Sequence, residues 1–89
     1  MNVIIPVGTK YIGLDAFSGC SQLARIALPS GLCELEDADV FAGCEALREI
    51  SFGGNAADWE NIMRGRVISI HREDMSVLCP KITLMNLKR

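Results

Sequence analysis

Apolar residues return along the first half of the chain in a short alternation nested within a long period. Leu23, Ile26 and Leu28 are followed 24 positions later by Leu47, Ile50 and Phe52, and within each set the last two residues alternate with polar or small ones. That alternation predicts two strands that each bury one face, with Leu23 and Leu47 leading in from the preceding turn. The longer phrase Ala16-Phe17-Ser18-Gly19-Cys20-Ser21-Gln22-Leu23-Ala24-Arg25-Ile26 recurs as Val40-Phe41-Ala42-Gly43-Cys44-Glu45-Ala46-Leu47-Arg48-Glu49-Ile50, again at 24, whereas Ile5-Pro6-Val7-Gly8 recurs as Leu28-Pro29-Ser30-Gly31 at 23. One residue is therefore inserted between Leu35 and Phe41.

Each recurring residue type has a physical reason. Pro6 and Pro29 end a strand because proline lacks the N–H that a ladder needs, and Gly8 and Gly31 then permit a turn. A second extended stretch follows at Lys10–Gly13 and at Cys33–Leu35. Phe17 and Phe41 plug the interior, and the Gly-Cys step bends the backbone back towards the next strand. A period between about 20 and 29 residues with apolar positions at fixed phase is the signature of a leucine-rich solenoid, whose units bury their faces only against neighbours. The expected fold is a β-rich leucine-rich-repeat solenoid of the α/β repeat class. It has about two coils of 23–24 residues, closed by a helix around Asp58 to Met63 and a strand or hairpin within Val67 to Leu87. As one domain, 1–89, the chain divides into repeats 3–26 and 27–50 and a capping segment 51–89.

Composition narrows the function. Hydrophobic residues make up 49% and charged residues 22% of 89 positions, with a net charge of −2 and no cluster of basic side chains. No nucleic-acid partner is expected from such a balance. No apolar run approaches the ~20 residues that span a bilayer, so no membrane insertion is expected, and Met1-Asn2-Val3 lacks the basic start of a signal peptide.

The four cysteines, Cys20, Cys33, Cys44 and Cys79, contain no C-x-x-C pair, and His71 is the one histidine, so no metal site is expected. Cys20 and Cys44 share one phase of adjacent coils and should stack close to the ~4.8 Å strand spacing. Parallel side chains leave their Cβ atoms too far apart for a good bridge, so we read them as buried free thiols acting as small hydrophobes. A Cys–His nucleophile built from His71 with Cys79 or Cys33 lacks an orienting third group, and no catalytic residue is assigned. The acidic run Glu34, Glu36, Asp37, Asp39 lacks the spacing of a calcium loop and reads as a solvated loop. Trp59, with Ile62 and Met63 on one helical face, reads as a lid over the last coil rather than as a ligand anchor. Outward strand positions, Asn2 and Ile4, Arg25 and Ala27, Glu49 and Ser51, form the candidate interaction face, three rungs and about 10 Å tall on a small concave surface.

The phrase I-x-x-P-x-G-x-x-x-I-x-x-x-A-F-x-G-C-x-x-L-x-x-I, running from Val3 to Ile26 and again with one insertion to Ile50, resembles the BspA-like leucine-rich repeat of bacterial and protozoan surface proteins. Phe52-Gly53-Gly54-Asn55-Ala56-Ala57-Asp58-Trp59-Glu60-Asn61-Ile62 is similar to the segment that closes many such arrays with a strand, a glycine turn and a Trp-x-x-Ile helix. Val77–Leu84 resembles the family's closing hairpin, with Pro80-Lys81 standing where the family usually carries an Asp-Gly turn. The resemblance is close over residues 3–62 and weak over 63–89. It implies a non-enzymatic adhesion-type module without a cofactor, at the cell surface or secreted, that binds a host or matrix protein. A purely structural or self-assembling end of a longer solenoid is the alternative, and a thiol enzyme stands third. Because Val3, Ile5, Ile12 and Phe17 have no preceding rung above them, the N-terminal coil is expected to drive homodimerisation or other self-association.

Overall fold

Residues that alternate in the sequence form the strands. A computed structural model of the chain describes residues 1–13, 16, 17 and 19–85. Among these, eight short strands are present: β1 (Asn2–Ile4), β2 (Tyr11–Ile12), β3 (Arg25–Leu28), β4 (Glu34–Leu35), β5 (Glu49–Phe52), β6 (Ile70–His71), β7 (Val77–Leu78) and β8 (Lys81–Leu84). They are joined by a short 3-10 helix, Ala38–Phe41, and one α-helix, α1 (Ala56–Met63). One parallel sheet runs in the order β1-β3-β5-β8, β2 and β4 pair in parallel as a second sheet, and β6 and β7 form an antiparallel hairpin.

The registers carry the sequence period into space. Asn2 lies beside Arg25 and Tyr11 beside Glu34, an offset of 23, whereas Arg25 lies beside Glu49, an offset of 24. The 3-10 helix takes up the inserted residue between Leu35 and Phe41. It returns Phe41 to the phase of Phe17, and the two rings stack with centroids 5.3 Å apart at 20°. Gly19 and Gly43 both adopt positive φ, +80° and +87°, which explains the glycine in each Gly-Cys step, since a side chain there would be strained. Inward positions make columns: Ile26 beside Ile50, Leu28 beside Phe52, and Leu23 and Leu47 leading in, all buried. Each such side chain contributes roughly 1.5–3 kcal/mol of burial energy, offset by the entropy of ordering the chain.

Helix α1 starts earlier than the apolar spacing predicts, because Asn55 caps it. The Asn55 side-chain oxygen accepts from the Asp58 N–H at 2.9 Å, which fixes the first turn at Ala56. Ile62 and Met63 face the interior, and Trp59 packs half-buried against Phe52 with ring centroids 5.3 Å apart. Gly54 makes room for this contact, since a Cβ there would fall 2.6 Å from the Phe52 ring. Arg64, in the left-handed region, ends the helix.

Past α1 the chain departs from expectation. Val77–Leu78 pairs backwards with Ile70–His71, and Lys81–Leu84 leaves the hairpin and joins β5 in parallel, Glu49 beside Lys81 and Phe52 beside Leu84. No hairpin turn forms at Pro80-Lys81, in keeping with the bias of a residue before proline towards extended backbone, and β8 follows directly. The first sheet thus has four rungs, one more than the sequence predicts. Leu87, at the end of the predicted closing strand, lies outside the described residues.

Among the described residues the second sheet stops at β4, where α1 packs and Arg66 takes up carbonyls on the open flank. In the first pair of turns the Ile12 carbonyl accepts from the Glu36 N–H at 3.0 Å. One turn later the residue in register with Ile12 is Leu35, and its carbonyl accepts from Arg66 Nη2 at 3.1 Å, with Nη1 reaching the Glu36 carbonyl at 3.4 Å. The same guanidinium donates to the Ile62 and Met63 carbonyls at 3.0 and 2.8 Å, at the negative end of α1. One side chain therefore supplies the donor that a third strand would bring to the Leu35 carbonyl and caps the helix. Arg66→Ala is expected to lower stability by about 2–3 kcal/mol, with Arg66→Lys restoring only part, because an ammonium cannot span four carbonyls as a planar fork does. Urea unfolding midpoints check this; a midpoint unchanged in Arg66→Ala would show that the fork is dispensable.

Candidate interaction face

Side chains alternate across the first sheet, so its outward side carries two rows at fixed register. Asn2, Arg25, Glu49 and Lys81 line up in one row, and Ile4, Ala27, Ser51 and Thr83 in the other. All six outward residues predicted from the sequence fall in these rows. Lys81 and Thr83 were missed, although the alternation of Ile82 and Leu84 carries the signal for them. With four rungs the strip is about 14 Å tall rather than about 10 Å.

Glu49 ties the rows together. Its Oε2 accepts from the Thr83 hydroxyl at 2.6 Å on one side, and its Oε1 lies 3.5 Å from Arg25 Nε on the other. Three strands are therefore linked through one half-buried carboxylate. The Thr83 hydroxyl holds the Glu49 carboxyl below its ordinary value, with the charges of Arg25 and Lys81 adding to the effect against a cost of desolvation. Arg25 keeps 59% of its side chain exposed and Ile4 is 80% exposed, so cationic and apolar contact points both remain open.

Elsewhere the structural residues fall as follows. Phe41 and Cys44 are fully buried and Phe17 is 8% exposed, whereas Cys20, on the first turn, is only half-buried. Cys20, Cys33, Cys44 and Cys79 are all free thiols. Cys44 Sγ points at the Phe17 carbonyl at 3.6 Å, and burial pushes its thiol pKa up, the wrong direction for a nucleophile. Ile12 and Phe17 are more enclosed than expected for an open end, and the uncovered apolar surface is carried by Met1, Ile4, Val7 and Tyr11. Tyr11 donates to Glu36 at 3.1 Å, and that bond raises the phenol pKa.

A cavity of about 390 Å³ lies between α1 and the turn after β3, lined by Ser30, Gly31, Leu32, Cys33, Asp58, Asn61 and Ile62. His71 is not in that lining; it sits in β6 opposite Val77. Among the described residues no group of three or more His, Cys, Asp or Glu could hold a metal ion, and no helix is long and apolar enough to cross a membrane.

Residues 1–63, which span the repeated phrases and α1, match the family model described as the BspA type leucine-rich repeat region (6 copies). The chain belongs to the BspA-type leucine-rich repeat family. No curated protein and no solved structure matches it. The match to the BspA-type family ends at Met63, the last residue of α1, so Arg66, the β6–β7 hairpin and β8 lie beyond the matched region.

Two measurements probe the site. Folding depresses the Glu49 pKa, so the carboxylate contributes stability that is fully present above its ordinary value near 4.5 and is lost as pH falls through the lower folded value. Glu49→Gln should therefore flatten the stability curve on its acid side, below that value; a curve of unchanged shape would assign acid lability to other carboxylates. Brief alkylation of the folded protein at neutral pH should modify the exposed Cys33 and Cys79 first and Cys44 last. After denaturation all four cysteines should alkylate, and a linked Cys20–Cys44 peptide would contradict the free-thiol ladder.

Proposed function

We propose that the chain is a non-enzymatic, adhesion-type protein-interaction module. On this reading it is a leucine-rich-repeat solenoid with coils 3–26 and 27–50 and a closing segment 51–89, displayed at a cell surface or secreted. Membership of the BspA-type family supports the class of function, and the in-register stacking of both parallel sheets supports the solenoid architecture. The observation that carries the reading is the outward face of the β1-β3-β5-β8 sheet, where Glu49 holds three rungs in fixed relation. A preorganised face binds with less ordering cost than a mobile one.

The chemistry of the face selects a partner. Glu49 engages only Nε of Arg25, which leaves the rest of that largely exposed guanidinium and the Lys81 ammonium as outward donors on one row, beside the small side chains of Ala27 and Ser51 and the exposed Ile4. The matching surface is a host or matrix protein segment that presents carboxylates next to apolar groups. Four rungs make a small face, so a single copy binds weakly. The test measures retention of the purified chain on a panel of immobilised purified matrix proteins. The double charge reversal Arg25→Glu with Lys81→Glu is compared with Asn61→Lys on α1. Binding weakened at least about tenfold by the first variant and untouched by the second is the expected result. Equal binding by all three, or retention on none of the matrix proteins, would overturn the reading.

A further inference from the structure

The two edges of the four-stranded sheet, unpaired among the described residues, are chemically unlike. β8 is preceded by Pro80, which has no N–H to offer, and begins with the exposed Lys81; proline and lysine are devices that keep a sheet edge from taking another strand. At the other edge no side chain from Met1 to Thr9 is charged. Large apolar side chains stand open at that end: Met1 at 63%, Ile4 at 80%, Val7 at 84% and Tyr11 at 52% exposure.

The backbone of β1 shows what that edge presents. The Met1 carbonyl accepts from the Ala24 N–H at 2.8 Å and the Ile5 N–H donates to the Ala27 carbonyl at 2.9 Å, so odd positions face β3. Two-residue alternation turns the N–H and C=O of Asn2 and Ile4 the other way, towards the open edge. These four groups can accept a strand of either direction, and a second copy of the same edge, related by a two-fold axis, meets them antiparallel, with residues two apart forming successive hydrogen-bonded pairs.

We propose that two copies of the chain pair along β1, antiparallel, about a two-fold axis beside Val3. Asn2 of one copy exchanges both backbone hydrogen bonds with Ile4 of the second, and the reciprocal pair forms by symmetry, giving a self-complementary interface from a three-residue strand. Val3 meets Val3 across the axis on the inward side, and Ile4 covers the opposite copy's first rung on the outward side. The arrangement joins the two four-stranded sheets into one of eight, so the outward face described above grows from about 14 Å to about 34 Å. Continuing the sheet head-to-tail through β8 would instead set the β1 edge against the guarded one and leave an open fibre. The contact is small, so the dissociation constant is expected on the order of 10 to 100 micromolar.

Sedimentation across that concentration range, with hydrogen exchange at its two ends, tests the proposal. The mass should double at high concentration, and the Asn2 and Ile4 amides should gain protection while those of Ile82 and Leu84 do not. Ile4→Pro removes a donor that β3 does not use, and Ile4→Lys places a charge at the edge. Both variants should stay monomeric with an unfolding midpoint close to that of the parent chain, and Lys81→Ala should dimerise as the parent does. Three results would overturn it: a monomer throughout, dimerisation undiminished in both Ile4 variants, or concentration-dependent protection at Ile82 and Leu84.

Discussion

Parallel register is the constraint from which the rest of the molecule follows. Once Ile26 is fixed beside Ile50, every outward residue is fixed as well, because a slip of one position would turn the slipped strand's own charge, Arg25 or Glu49, into the core. Burial energy in the apolar columns thus sets the placement of polar groups that contribute little to stability themselves. The Thr83–Glu49–Arg25 link is a product of that placement. It spans three strands although no two of its members are closer than 24 positions in the chain.

Sequence reasoning reached whatever the period controls. Phe17 and Phe41, the strand pairs and the six outward positions were legible because each repeats at 23 or 24 residues. The rest lies where the period breaks. β8 pairs with β5 at an offset of 32, Glu49 beside Lys81, so no phase argument reaches it even though Ile82 and Leu84 alternate correctly. Arg66 was invisible for another reason: its carbonyl partners at Leu35 and Glu36 sit about 30 positions away, and nothing in the local sequence separates it from Arg64 or Arg72. The Asn55 cap was legible in principle, as an Asn three residues before Asp58, but the aromatic position of Trp59 dominated the reading of that helix.

The extra region after α1 also changes what the outward face is. Without β8, Glu49 would lose the Thr83 hydroxyl and keep only Arg25 at 3.5 Å, a contact open to solvent and screened by salt. The fourth strand therefore does more than lengthen the sheet: it desolvates the carboxylate and orients it. Residues outside the repeated phrases complete a site whose other members are inside them.

Arg66 meets the flank of β4 with a side chain rather than with a strand. The guanidinium occupies the Leu35 and Glu36 carbonyls as a plug occupies a socket. Withdrawing it would uncover the Leu35 carbonyl, the β4 position in register with the Ile12 carbonyl that the Glu36 N–H caps one turn earlier. On that side the flank of β4 is held by one arginine and by the helix it caps.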